Sequence, residues 1–90
     1  MNIKVVRFGE ILTSRPEGRE AGLVMLASDL RNHKGAIEID FEGVQVMTPS
    51  WLSEFIKTLN AGGMGGVTFL NTSNVSVSES IRFVQVEKTA

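Results

Sequence analysis

"AIEIDFEGVQVMTPSWLSEFIKTL", Ala36–Leu59, is the stretch that decides the fold of this chain. Its first part alternates, with Ile37, Ile39 and Phe41 on one side and Glu38 and Asp40 on the other, the period-two signature of a half-covered strand. A strand covered by helices on both faces would read as a continuous apolar run. The acids therefore predict helices packed on only one side of the sheet. The second part changes period: Thr48 is a good N-cap, Pro49 suits the first helical position, and Leu52, Phe55, Ile56 and Leu59 form a core stripe.

Working outward, "NIKVVRF", Asn2–Phe8, reads as a strand rich in β-branched and aromatic residues. Gly9 and Glu10 then form a turn before the apolar pair Ile11 and Leu12, a second short strand expected to close a hairpin on the first. In "SRPEG", Ser14 and Glu17 stand at capping-box spacing and Pro16 fits a helix's first turn. Leu23, Leu26, Ala27 and Leu30 supply the buried face of that helix. His33 and Lys34 suit its negative end and Gly35 its stop. Downstream, "GGMGG" ends the second helix, "VTFL" (Val67–Leu70) is a strand, and Ser76 with Glu79 opens a last helix, a ragged strand over Val75–Val77 being the alternative. Such alternation implies right-handed βαβ crossovers and a parallel or mixed sheet, hence a small α/β sandwich.

At 90 residues the chain has room for one domain, residues 1–90, with no internal boundary. Its 42% hydrophobic and 21% charged residues are those of an ordinary globule. Nine Lys and Arg against ten Asp and Glu, with no basic and aromatic residues interleaved, argue against a nucleic-acid partner. No cysteine and a single histidine, His33, exclude thiolate and multi-histidine metal sites. No run of about 20 apolar residues crosses a bilayer, and the opening does not read as a signal peptide, so no membrane role and a cytoplasmic location are expected.

Catalytic vocabulary is sparse. The glycine-rich run leaves a helix and enters a strand, the reverse of a phosphate loop, and Met64 within it reads as a loop tip. His33 has no serine nearby in sequence, although folding could bring Ser53 or Ser80 to it; the expectation is that it rests on a helix end. Asp40 and Glu42 sit where a strand ends; Asp40 reads first as an acid that accepts hydrogen bonds from the following turn, and second as a ligand-binding acid. Arg15 and Arg82 read as solvated or ion-paired. Trp51 stands apart, one residue round from the core stripe and near the helix start. A large amphipathic ring there suits either partner binding or a lid on the core.

At these residues the chain resembles the STAS family, the sulfate-transporter and anti-sigma-factor-antagonist domains, and more closely the STAS-like group of unassigned function. Ala36–Leu59 carries the likeness: apolar strand, Asp, a Gly-Val turn, a short polar loop and a helix. "SRPEG", Ser14–Gly18, is similar to the segment before the group's first helix. The resemblance implies a mixed sheet of four or five strands with helices mainly on one face. In the anti-sigma-factor antagonists the loop reads Asp-Ser-Ser-Gly and its first Ser is phosphorylated by a partner kinase. Here those positions are Thr48, Pro49, Ser50 and Trp51, so Ser50 or Thr48 would have to replace the missing acceptor. The STAS-like pattern of Ser, aromatic and a following acid matches Ser50, Trp51 and Glu54, and implies association with histidine-kinase-like ATPase domains without enzymatic activity.

The expected function is a non-enzymatic regulatory adaptor without cofactor, contacting a protein partner through Thr48, Pro49, Ser50, Trp51 and Glu54. A rigid Thr-Pro start would present Ser50 and Trp51 outward, so removing the Trp51 ring should weaken partner binding and spare the fold. The alternatives are a small-ligand or nucleotide-binding domain using Asp40 and the glycine-rich loop, and a homodimer that covers Val6, Phe8 and Leu70.

Overall fold

The computed structural model describes residues 1–33, 35–63 and 65–89, with side-chain surroundings through residue 85. Along it run β1 (Asn2–Lys4), a 3-10 turn (Val5–Phe8), β2 (Ile11–Leu12), α1 (Arg15–Ala27), β3 (Ile37–Asp40), β4 (Val46–Met47), α2 (Pro49–Ala61), β5 (Val67–Leu70) and α3 (Val75–Thr89). Lys34 and Met64, read above as a helix-end cation and a loop tip, lie outside the described residues.

The chain is α/β, but every strand pairing among the described residues is parallel. The expected mixed sheet is corrected in two ways. β1, β3 and β5 form a three-stranded sheet in that order, with Ile3 beside Ile39 and Ile39 beside Phe69, while β2 and β4 form a separate pair with Leu12 beside Met47. The expected hairpin between β1 and β2 does not form. A helix separates the partners within each pairing, and such a crossover returns the chain in the same direction. The order β1-β3-β5 advances one way, so right-handed crossovers keep their helices on one face. Burial follows: Ile3, Ile37 and Ile39 are buried with Leu52, Phe55, Leu59 and Val77 in one core, whereas Asn2, Lys4, Glu38 and Thr68 are exposed.

The first strand is shorter than the Asn2–Phe8 expectation because its partner runs out. Lys4 pairs with Asp40, the last residue of β3, and the chain then turns through Gly43, whose φ of +89° favours glycine. Val5–Phe8 winds instead into the 3-10 turn, closed by Gly9 N–H donating to the Val6 carbonyl at 2.9 Å. Val6 and Phe8 pack against the core and, like Leu70, are half-buried.

The first helix stops at Ala27 rather than near Lys34, and its buried face is Gly18, Ala21, Gly22 and Met25 instead of the expected Leu23, Leu26 and Ala27, because the close approach of α2 at Gly18 and Gly22 admits only small side chains there. Ser28 Oγ donates to the Val24 carbonyl at 2.6 Å and Leu30 N–H donates to that of Met25 at 2.9 Å, a tightening that turns Leu30 into the core. Ser14 caps the start of α1 as expected, accepting from Glu17 N–H at 3.2 Å. The last helix is present, but Asn74 caps it instead of Ser76: Asn74 Oδ1 accepts from Val77 N–H at 3.1 Å. Ser76 turns back and its Oγ accepts from Met47 N–H at 3.0 Å, tying α3 to β4.

Candidate functional site

β2 and β4 lie side by side and parallel, and each feeds directly into a helix. Their helices must therefore start together. Contacts climb both helices in step, Gly18 against Trp51, Gly22 against Phe55 and Thr58, and Leu26 against Gly62, so α1 and α2 run parallel. Both N-termini, with their free backbone N–H groups, emerge at the same end of the molecule.

Thr48 locks this end. Its backbone N–H donates to the Leu12 carbonyl at 3.0 Å, its Oγ1 donates to the Thr13 carbonyl at 2.7 Å, and the same oxygen accepts from Trp51 N–H at 3.3 Å. Pro49 occupies the first position of α2 and gives up no hydrogen bond by doing so. Ser50 and Glu54, one helical turn apart, are joined by the guanidinium of Arg15: Nη2 donates to Ser50 Oγ at 3.3 Å and Nη1 to Glu54 Oε1 at 3.4 Å. Arg15 is 53% exposed and Glu54 23%, so this polar cluster faces solvent. It holds a cation, an anion and a hydroxyl across two helix starts.

Trp51 does not share that surface. Its side chain is wholly buried, stacked on Phe55 with centroids 5.0 Å apart and tilted on Phe8 at 6.3 Å. The outward presentation of Trp51 is thus corrected. α2 is a central helix, covered by α1 as well as the sheet, and the arc it buries is wider than the stripe Leu52, Phe55, Ile56 and Leu59. The signal was on the other helix: Gly18 and Gly22, four residues apart, leave α1 without side chains where α2 approaches.

Arg15 is the site residue that the sequence reading left out. Of the two roles read for it, solvated or ion-paired, it takes the second, and its partners lie 35 and 39 positions away and meet it only because β2 and β4 pair in parallel. Arg82 is likewise ion-paired, to Glu79 at 3.2 Å.

Asp40 belongs to a different place, the end of β3 on the open side of the sheet. Though nearly buried, it accepts from Asn71 Nδ2 at 2.8 Å, from Glu42 N–H at 2.9 Å and from Lys4 Nζ at 3.3 Å. These donors hold its carboxyl below the ordinary range, the Asn71 amide contributing most, then the Glu42 amide, with Lys4 adding charge against the cost of burial. Lys4 is in turn raised, first by its hydrogen bond to Asp40. This is the turn-stabilising role read from "DFEG", with the oxygens of Asp40 already engaged.

His33 lies beyond α1 and its Nε2 is 3.4 Å from the Ala36 carbonyl. Ser80 donates to the Ser76 and Met47 carbonyls, at 2.7 and 3.3 Å, so its hydroxyl is committed within α3 and β4. No group of three or more His, Cys, Asp or Glu capable of holding a metal occurs among the described residues, and among them no helix is long and apolar enough to cross a membrane. The glycine-rich connection closes on backbone contacts, with Gly65 N–H donating to the Gly35 carbonyl at 3.3 Å.

A scan against protein-family models, a search of curated proteins and a search of solved structures each returned no match to this chain.

Proposed function

We propose that the protein is a non-enzymatic regulatory interaction module of STAS-like type that engages a histidine-kinase-like ATPase through the start of α2. The contact surface is Thr48, Pro49, Ser50 and Glu54 together with Arg15; Trp51 supports it from beneath by fixing α2 against α1. The observation that carries this reading is the Arg15 fork, which binds Ser50 and Glu54 on a solvent-facing end where two helix N-termini coincide.

That arrangement suits a switchable contact. Thr48 spends its hydroxyl on the Thr13 carbonyl and on capping, so Ser50 is the better acceptor for a phosphate. A phosphate on Ser50 would sit in the first turn of α2, where backbone N–H groups favour negative charge, and beside Arg15. Arg15 would then leave Glu54 for the more highly charged group, changing the surface offered to a partner.

An affinity capture from the organism's own lysate tests this, with ATP present, using the native protein and a Ser50→Tyr/Glu54→Lys double variant. Retention of an ATPase-domain protein by the native form, lost in the variant, is the expected result. Retention of the same proteins by both forms removes this surface from the account.

A further inference from the structure

The seven Lys and Arg side chains described divide cleanly. Lys4, Arg7, Arg15 and Arg82 have carboxylate partners; Arg19, Arg31 and Lys57 have none among the described residues. All three unpaired cations border the same feature, the outer groove between α1 and α2, where two adjoining hollows of about 350 and 490 Å³ share Leu26 and Gly62. The apolar lining is Leu23, Leu26 and Leu30 from α1 and its extension and Ala61 from α2, and Leu23 is 42% exposed. The acids of α1 and α2 that could neutralise the groove are elsewhere: Glu17 and Glu20 of α1 lie off the 19–23–26–30 stripe, and Glu54 of α2 is held by Arg15 at the helix start. A chain of formal charge -1 thus carries a strip of three positive charges over an apolar floor.

The geometry points to an acidic amphipathic helix of a partner protein as the occupant of this groove. Its apolar stripe would lie over Leu23, Leu26 and Ala61, and its acids would flank that stripe to meet Arg19, Lys57 and Arg31. Two parallel helices offer no free strand edge, so an extended peptide would gain no backbone ladder here, whereas a helix brings its own backbone bonds satisfied. From Arg19 to Ala27 the helical part of the floor is roughly 12 Å long, a little over two helical turns. Single-stranded nucleic acid would call for a series of stacking aromatics, where the lining offers the His33 imidazole alone among its described residues, and anionic membrane recognition draws on larger clusters of roughly four to eight cations. The surface begins one helical turn beyond the Arg15–Ser50–Glu54 end, lined by other residues, and requires neither an ATPase partner nor modification of Ser50.

The test is selection of a displayed library of helix-biased peptides, about 18 residues long, against the intact protein, followed by fluorescence anisotropy of the enriched peptides. The expected peptides carry apolar residues at helical spacing flanked by Asp and Glu. Their affinity should fall about tenfold or more in an Arg19→Glu/Lys57→Glu variant and in Leu23→Asp, decline as salt rises, and stay unchanged in Arg82→Ala on α3. Circular dichroism verifies that the variants are folded. No enrichment, an enriched set without acidic excess, or equal binding to the charge-reversed variant would overturn the assignment. So would tighter binding of phosphatidylserine vesicles or duplex DNA that is lost with the same substitutions.

Discussion

Gly18 of α1 and Trp51 of α2 meet backbone to backbone. A β-carbon at Gly18 would stand 2.9 Å from the Trp51 carbonyl carbon, and neither helix has a flexible group there that could move aside. Alanine normally stabilises a helix interior by about 1 kcal/mol over glycine. Here Gly18→Ala should instead destabilise, by roughly 1–3 kcal/mol in urea unfolding, because the helices must separate to admit one methyl group. Gly22→Ala should destabilise as well, since the nearest atom, the Thr58 β-carbon at 2.7 Å, is fixed to the backbone and no side-chain rotation moves it. Equal or greater stability of Gly18→Ala would contradict this packing.

The same contact makes Trp51 a folding residue. Trp51→Ala removes the stack on Phe55 and the contact with Phe8, and should cost about 3–5 kcal/mol. That is a large part of the 5–15 kcal/mol typical of a small domain. Trp51→Phe should be milder because it retains a ring against Phe55. Denaturant melts followed by circular dichroism report both values; a native-like melt for Trp51→Ala would return the indole to the surface.

The sequence was most legible where a single residue type performs a local task. Thr48 and Pro49 start α2, Ser14 starts α1, and the Ile37–Phe41 alternation buries one face, all as read from neighbouring residues alone. It was least legible where the answer lay across the chain. Two-residue strands such as Ile11–Leu12 and Val46–Met47 have no period, so their parallel pairing, and with it the meeting of Arg15 with Ser50 and Glu54, left no local trace. Asn74 and Ser76 are both good caps, and the choice fell to the burial of Val77 and the bond from Met47 to Ser76. Trp51 misled because its stripe was judged from α2 alone, without the glycines facing it.

Asp40 gives the fold an acid dependence of known sign. Its folded pKa is depressed, so its contribution is present above the unfolded value of about 3.9 and is lost as pH falls through the folded one. Native stability should therefore decline more steeply below about pH 4 than that of Asp40→Asn, and the advantage of the native form should shrink across that window. Asn71→Ala, which removes the strongest donor, should narrow the window. Urea melts from neutral to acid pH measure this, and parallel profiles for native and Asp40→Asn would contradict it.

Arg15 should matter more for binding than for folding. The Arg15–Glu54 pair is solvent-facing, and its loss in Arg15→Ala should cost less than about 1 kcal/mol of stability. Arg15→Glu, by contrast, places a second acid beside Glu54 on the proposed contact surface and should weaken the captured partner about tenfold or more. A Kd unchanged by Arg15→Glu would detach Arg15 from that surface.

Hydrogen–deuterium exchange of the protein, alone and bound to the captured ATPase domain, reports whether the partner sits on the paired helix starts. Slowed exchange over residues 13–17 and 48–54 is expected on binding, weakened in Ser50→Asp. Unchanged exchange over both segments, with protection confined to another face, would contradict that placement.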